Sequence, residues 1–106
     1  VVDLNKELIQ HPAATFYAKV VGDSMAPEIN EGDLLVVDRS LEPFDDCIAV
    51  CCLNNEFTIK RIDLSRKDEG YISLIPNNKK YEPITVTEED KFILWGVVRY
   101  VIHKTV

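Results

Sequence analysis

The sequence predicts a mainly β fold, a small domain of twisted β-hairpins preceded by one short helix. Three observations predict it. Beyond residue 14 the apolar residues fall in runs rich in β-branched and aromatic side chains. Phe16, Ala18 and Val20 alternate with Tyr17 and Lys19, the period of two that a strand needs. Leu53-Asn54-Asn55-Glu56 is a two-residue turn candidate, because asparagine tolerates the positive φ of primed hairpin turns. The length of 106 residues with 46% hydrophobic content fits one domain over residues 1–106, without repeats or a linker. At that size about two-thirds of the unfolded surface can be buried, so a core forms without staples.

Taken in order, Asp3 can N-cap a helix through about Gln10, with Leu4, Leu8 and Ile9 on one face. His11-Pro12 ends it, since the residue before proline avoids helical angles. Strands are expected at 16–20, 34–38, 47–53, 56–62, 71–75 and 92–102. The charged run Ser65-Arg66-Lys67-Asp68-Glu69-Gly70 reads as an exposed hairpin loop. Counting back from the asparagine turn pairs Leu53 with Glu56, Cys51 with Thr58, Ala49 with Lys60 and Cys47 with Ile62 on one face. Lys60 then faces a small alanine with thiols diagonal to it, poorer surroundings than a surface lysine chooses. The ordinary alternative is a lysine whose stem lies along the sheet and whose ammonium reaches water. The last strand, Phe92 to Ile102, holds more apolar residues than one buried face requires. An uncovered edge or patch there would invite a second copy of the chain, so a homodimer is expected.

Twelve basic against eighteen acidic residues give a net charge of −6, which argues against direct binding to nucleic acid. The longest apolar stretches, 34–37 and 48–53, fall well short of a membrane span of about 20 residues. The start, Val1-Val2-Asp3-Leu4, lacks the basic flank and long apolar run of a signal peptide. Three cysteines without metal-ligand spacing point to a reduced, cytoplasmic protein that needs no cofactor or metal. The chain begins without methionine, and an upstream segment is expected to have been removed.

The chemistry points to Ser24, in Gly22-Asp23-Ser24-Met25-Ala26-Pro27 at a strand exit. Gly22 permits a tight backbone there, and Ser24 can begin a short helical turn whose free N–H groups face a developing oxyanion. A serine at such a place is ordinarily only a cap. The two histidines, His11 and His103, offer no acid–histidine pair to activate it, so a Ser-His-Asp triad is poorly supported. A serine–lysine dyad remains, with Lys60 as the lysine whose neighbours favour the neutral form. An ordinary lysine, with a pKa of about 10.4, is neutral in only about four molecules in ten thousand at pH 7, and burial must supply most of the difference.

Gly22-Asp23-Ser24-Met25-x-Pro27-x-Ile29-x-x-Gly32-Asp33, then Val37-Asp38, and later Phe57-Thr58-Ile59-Lys60-Arg61, resemble the two signature blocks of the LexA/UmuD family of self-cleaving serine–lysine peptidases. Asp3-Leu4-Asn5, Leu8-Ile9-Gln10-His11-Pro12, Ala14-Thr15, Ile75-Pro76-x-Asn78 and Tyr81-x-Pro83-Ile84 resemble its UmuD branch, which serves mutagenesis in the bacterial SOS response. The resemblance implies a small β peptidase domain with Ser24 as nucleophile and Lys60 as general base. It implies cleavage of a small-residue–glycine bond in an arm before the domain, prompted by the RecA–single-stranded DNA filament. The cut homodimer would then join a Y-family DNA polymerase. Here Val21, Glu31, Glu69 and Trp95 precede the glycines, so no such bond is present and the processed core is expected. The self-cleavage and dimerisation domain of a LexA-like or phage-type repressor is the alternative. The Ser65–Gly70 loop is longer than expected for UmuD.

Overall fold

The structure, a computed structural model, describes residues 3–106. The Asp3 carboxylate caps helix α1 (Leu4–Leu8), accepting the Asn5 and Lys6 N–H groups at 3.1 and 3.4 Å. The helix stops short of Gln10 because Ile9 is already extended. It buries no residue, and Leu4 is 62% exposed, so nothing packs against a longer helix to sustain it. A single 3-10 turn, Pro12–Ala14, leads into the sheet.

Seven strands follow: β1 (Thr15–Lys19), β2 (Leu34–Asp38), β3 (Ile48–Leu53), β4 (Glu56–Asp63), β5 (Tyr71–Ile75), β6 (Ile84–Thr87) and β7 (Phe92–Ile102). They form one antiparallel sheet in the order β1-β2-β7-β3-β4-β5-β6. Asn54 and Asn55 take φ values of 49° and 73°, so the primed turn forms. It sets the counted register, with Leu53 opposite Glu56, Cys51 opposite Thr58 and Ala49 opposite Lys60. Ile62 N–H donates to Cys47 O at 2.8 Å, carrying the pairing to its far end. The 65–70 segment is a hairpin loop between β4 and β5, with a 3-10 turn at Lys67–Glu69 and Gly70 at φ 95°. Strand β6 was not expected from the sequence. Its four residues pair only with β5, too few for alternation to stand out.

Successive side chains alternate across the sheet, and both faces carry a core. Cys47, Ala49, Cys51, Ile62 and Leu74 pack on one face, with Val97 from β7. Val20, Met25, Ile29, Leu35, Val37 and Val50 form the other cluster, with Trp95 and Val98 from β7 against it. This corrects the expectation of an uncovered edge at the C-terminal strand. β7 is hydrogen-bonded on both sides, to β2 and to β3, and is apolar on both faces because it supplies both clusters. What it leaves exposed are side chains near its ends, Ile93, Val101 and Ile102.

Gly96 of β7 lies against the Val37 side chain of β2. A Cβ there would lie 2.6 Å from Val37 Cγ1 and 3.3 Å from Arg39 Cγ. Val37 is buried and β-branched, so it cannot rotate away. Gly96→Ala is therefore expected to destabilise the fold by about 1–3 kcal/mol, read as a lower urea midpoint at unchanged m-value.

Candidate functional site

Between β1 and β2 the chain makes a loop pinned at its base, where Val20 N–H donates to Asp33 O at 3.0 Å and Gly32 N–H to Val20 O at 2.9 Å. Its apolar residues Met25 and Ile29 are almost fully buried and hold the loop against the sheet. Burying each contributes roughly 1.5–3 kcal/mol. Gly22, at φ 84°, makes the sharp exit that places Ser24 at the head of this loop. Residues 24–28 form hydrogen-bonded turns of helical spacing, with Ala26 N–H donating to Asp23 O three residues back and Ile29 N–H to Met25 O four residues back, which do not extend into a helix. Among the described residues the Ser24 and Met25 N–H groups have no intramolecular acceptor.

Lys60 points from β4 to the same place. Its Nζ lies 2.9 Å from Ser24 Oγ, 2.6 Å from Thr58 Oγ1 and 3.0 Å from Ile59 O. The side chain does not snorkel to water: Lys60 is 6% exposed, facing the fully buried Ala49. Burial pushes its pKa below the ordinary lysine value. Cys51 supplies no counter-charge at neutral pH, since burial pushes its thiol up to about 12. Among the described residues Lys60 has no carboxylate partner within ion-pair distance.

Ser24 opens onto a mostly apolar cleft of about 460 Å³ walled by Val20, Met25, Val50, Ile59 and Trp95. The cleft has room for an extended peptide segment. The sequence-predicted pair is thus brought into contact from positions 36 residues apart. Sequence reasoning missed the acceptors Thr58 and Ile59. Thr58 carried a signal, since two residues before Lys60 on one strand is the same face.

The histidines are paired away from Ser24. Both have carboxylate partners: His11 Nδ1 lies 2.5 Å from Asp38 Oδ2, and His103 Nδ1 lies 2.7 Å from Asp33 Oδ1. Pairing across 27 and 70 residues left no trace in local sequence. Both aspartates are buried at the ends of β2, and burial would raise the Asp38 carboxyl. Hydrogen bonds from Ser40 and His11 overcome this and hold it at about 2. Neither imidazole is hydrogen-bonded to Ser24, so these pairs fasten the terminal segments to β2.

The chain belongs to the Peptidase S24-like family, whose model matches residues 1–99. This bears out the resemblance read from the two sequence blocks. Among curated relatives, it is 37% identical to protein MucA of Salmonella typhimurium over 101 residues, covering 93% of this chain and 66% of that protein. It is 40% identical to protein SamA of Salmonella typhimurium over 105 residues, 98% of this chain and 70% of the relative. It is 41% identical to the LexA repressor of Clostridium perfringens over 91 residues, 85% of this chain and 42% of the repressor. The chain thus spans just under two-thirds of the length of MucA.

The three acceptors around Nζ match the three N–H donors of a charged ammonium. They offset part of the burial effect. Removing one leaves a buried donor of the charged form unmet, which costs that form more than the neutral amine. Thr58→Val, nearly isosteric, is therefore expected to lower the Lys60 pKa further, as followed by NMR titration of the lysine side chain.

Proposed function

We propose that this chain is the self-cleaving serine peptidase core of an SOS mutagenesis protein of UmuD type, with residues 1–106 acting as one catalytic and dimerisation unit. The observation that carries the reading is the 2.9 Å contact between Ser24 Oγ and a buried Lys60 Nζ. Neutral Lys60 accepts the Ser24 proton as Oγ attacks the scissile carbonyl carbon. The tetrahedral oxyanion is met by N–H donors of the Ser24 turn. As it collapses, the C–N bond breaks and the Lys60 ammonium returns the proton to the departing amine. Water, deprotonated by the same lysine, then hydrolyses the acyl-serine and frees the new carboxyl terminus.

The substrate is a small-residue–glycine bond, in keeping with the resemblance to the LexA/UmuD family and with a cleft that holds an extended segment. The RecA–DNA filament prompts the cut, and the cleaved homodimer serves as accessory subunit to a Y-family translesion polymerase. A chain at net −6 reaches DNA through such protein partners. The likeness to the LexA repressor favours a second reading, the self-cleavage and dimerisation domain of a repressor. A helix-turn-helix encoded upstream decides for the repressor, and a short arm decides for the mutagenesis protein.

With an arm bearing a small-residue–glycine bond fused before residue 1, Ser24→Ala and Lys60→Met should each abolish self-cleavage, measured as loss of the faster-migrating product. Either variant cutting at the original rate rejects the dyad. The folded pKa of Lys60 is lowered, so the neutral base appears as pH rises. The cleavage rate should accordingly climb through a midpoint below that of free lysine and then level off.

The exposed Val101 and Ile102, at the C-terminal end of β7, belong to the surface through which a second copy packs. Sedimentation equilibrium at micromolar concentration should show a species of twice the chain mass. Ile102→Asp should shift it toward the monomer.

A further inference from the structure

The β5–β6 connection holds the serine's backbone from the far side. Asn78 N–H donates to Ser24 O at 3.0 Å, and Asn78 Nδ2 donates to Asp23 O at 3.0 Å. The Tyr81 hydroxyl donates to Asp23 Oδ1, and Lys80 Nζ lies 4.0 Å from Asp23 Oδ2. The Asp23 hydrogen bond raises the phenol pKa, so Tyr81 remains a donor across the working range. Asn78 Oδ1 in turn accepts Lys80 N–H at 3.0 Å, which shapes the connection itself.

Two successive carbonyls, those of residues 23 and 24, are therefore fixed by one asparagine. In a trans peptide the C=O and the following N–H point in opposite directions. Fixing the two oxygens on the Asn78 side turns the Ser24 and Met25 N–H groups to the other side. These are the N–H groups left without an intramolecular acceptor. Ser24 Oγ is tied to Lys60 from β4, so the reacting atom and the free N–H groups are set by separate parts of the sheet.

We infer that Asn78 and Tyr81 are positioning residues: they clamp Asp23 and the Ser24 backbone, setting the serine and its neighbouring N–H donors in the geometry the reaction needs. This rests on the proposed role of Ser24. A displacement of about 1 Å at a reacting group can cost on the order of a hundredfold in rate, so a clamp acting through two carbonyls has leverage without touching substrate.

The test uses the 106-residue chain cutting a peptide with a small-residue–glycine bond in trans, together with site-resolved amide hydrogen exchange. Tyr81→Phe removes only the hydroxyl, and Asn78→Asp keeps the acceptor to Lys80 while removing the donor to Asp23. Each should lower kcat by about tenfold or more with KM within about twofold, and speed exchange at the Ala26 and Asn78 amides, which donate to Asp23 O and Ser24 O, relative to β3 and β4. Asp23→Ala combined with Tyr81→Phe should cost no more than the larger single loss, because both delete one contact. Unchanged exchange at the Ala26 and Asn78 amides overturns the clamp, whatever happens to activity. Faster exchange with unchanged kcat overturns its positioning role, as does a kcat loss matched by an equal loss of folded protein. An unsubstituted chain that does not cut the peptide, or whose Ser24→Ala variant still cuts it, overturns the serine reading instead, while the exchange data still decide the clamp.

Discussion

A lysine ammonium buried without a counter-ion is the constraint around which this molecule is arranged. Water would stabilise the charge, and a nearby carboxylate would fix it. Among the described residues Lys60 finds two hydroxyls and a carbonyl, opposite an alanine and beside a thiol that stays protonated. Such a site costs stability at neutral pH, because the unfolded chain carries the proton more easily than the folded one. That cost fades as pH rises toward the ordinary lysine range, so the fold gains stability where a typical salt-bridged domain begins to lose it. The burial that makes Lys60 awkward to keep is also what, in the proposed reaction, makes it usable as a base.

Keeping that environment dry requires cover on both faces, and the topology supplies it. Strand β7 contributes Val97 to one cluster and Val98 and Trp95 to the other, while β3 alternates in the same way through Ala49, Val50 and Cys51. The loop bearing Ser24 is drawn onto the second face by Met25 and Ile29. Apolar burial thus sets the serine's approach to the lysine, and hydrogen bonding refines its angle.

Much of this was legible in the sequence where the determinants are local. The asparagine pair fixed the β3–β4 register and therefore the neighbours of Lys60, because a two-residue turn leaves one way to count. The expected strands were found with ends shifted by a residue or so, since β-branched runs resist any other backbone. Long-range features were not readable. The His11–Asp38 and His103–Asp33 pairs join distant segments, and the position of β7 between β2 and β3 follows from two-sided packing that no periodicity encodes. The contacts of Asn78 and Tyr81 with Asp23 escaped for the same reason, although both residues lie in the stretches that carried the resemblance.

The position of β7 also bears on how the protein is made. It is the last strand of the described sheet in chain order, yet it alone joins the β1–β2 ribbon to the β3–β6 group by hydrogen-bonded pairing. The ribbon carries the Ser24 loop, and the other group carries Lys60 and Asn78. A nascent chain still emerging from the ribosome therefore has both halves of the site without the strand that registers one against the other. The two halves of the site are thus brought into register by the strand of the described sheet that is synthesised last.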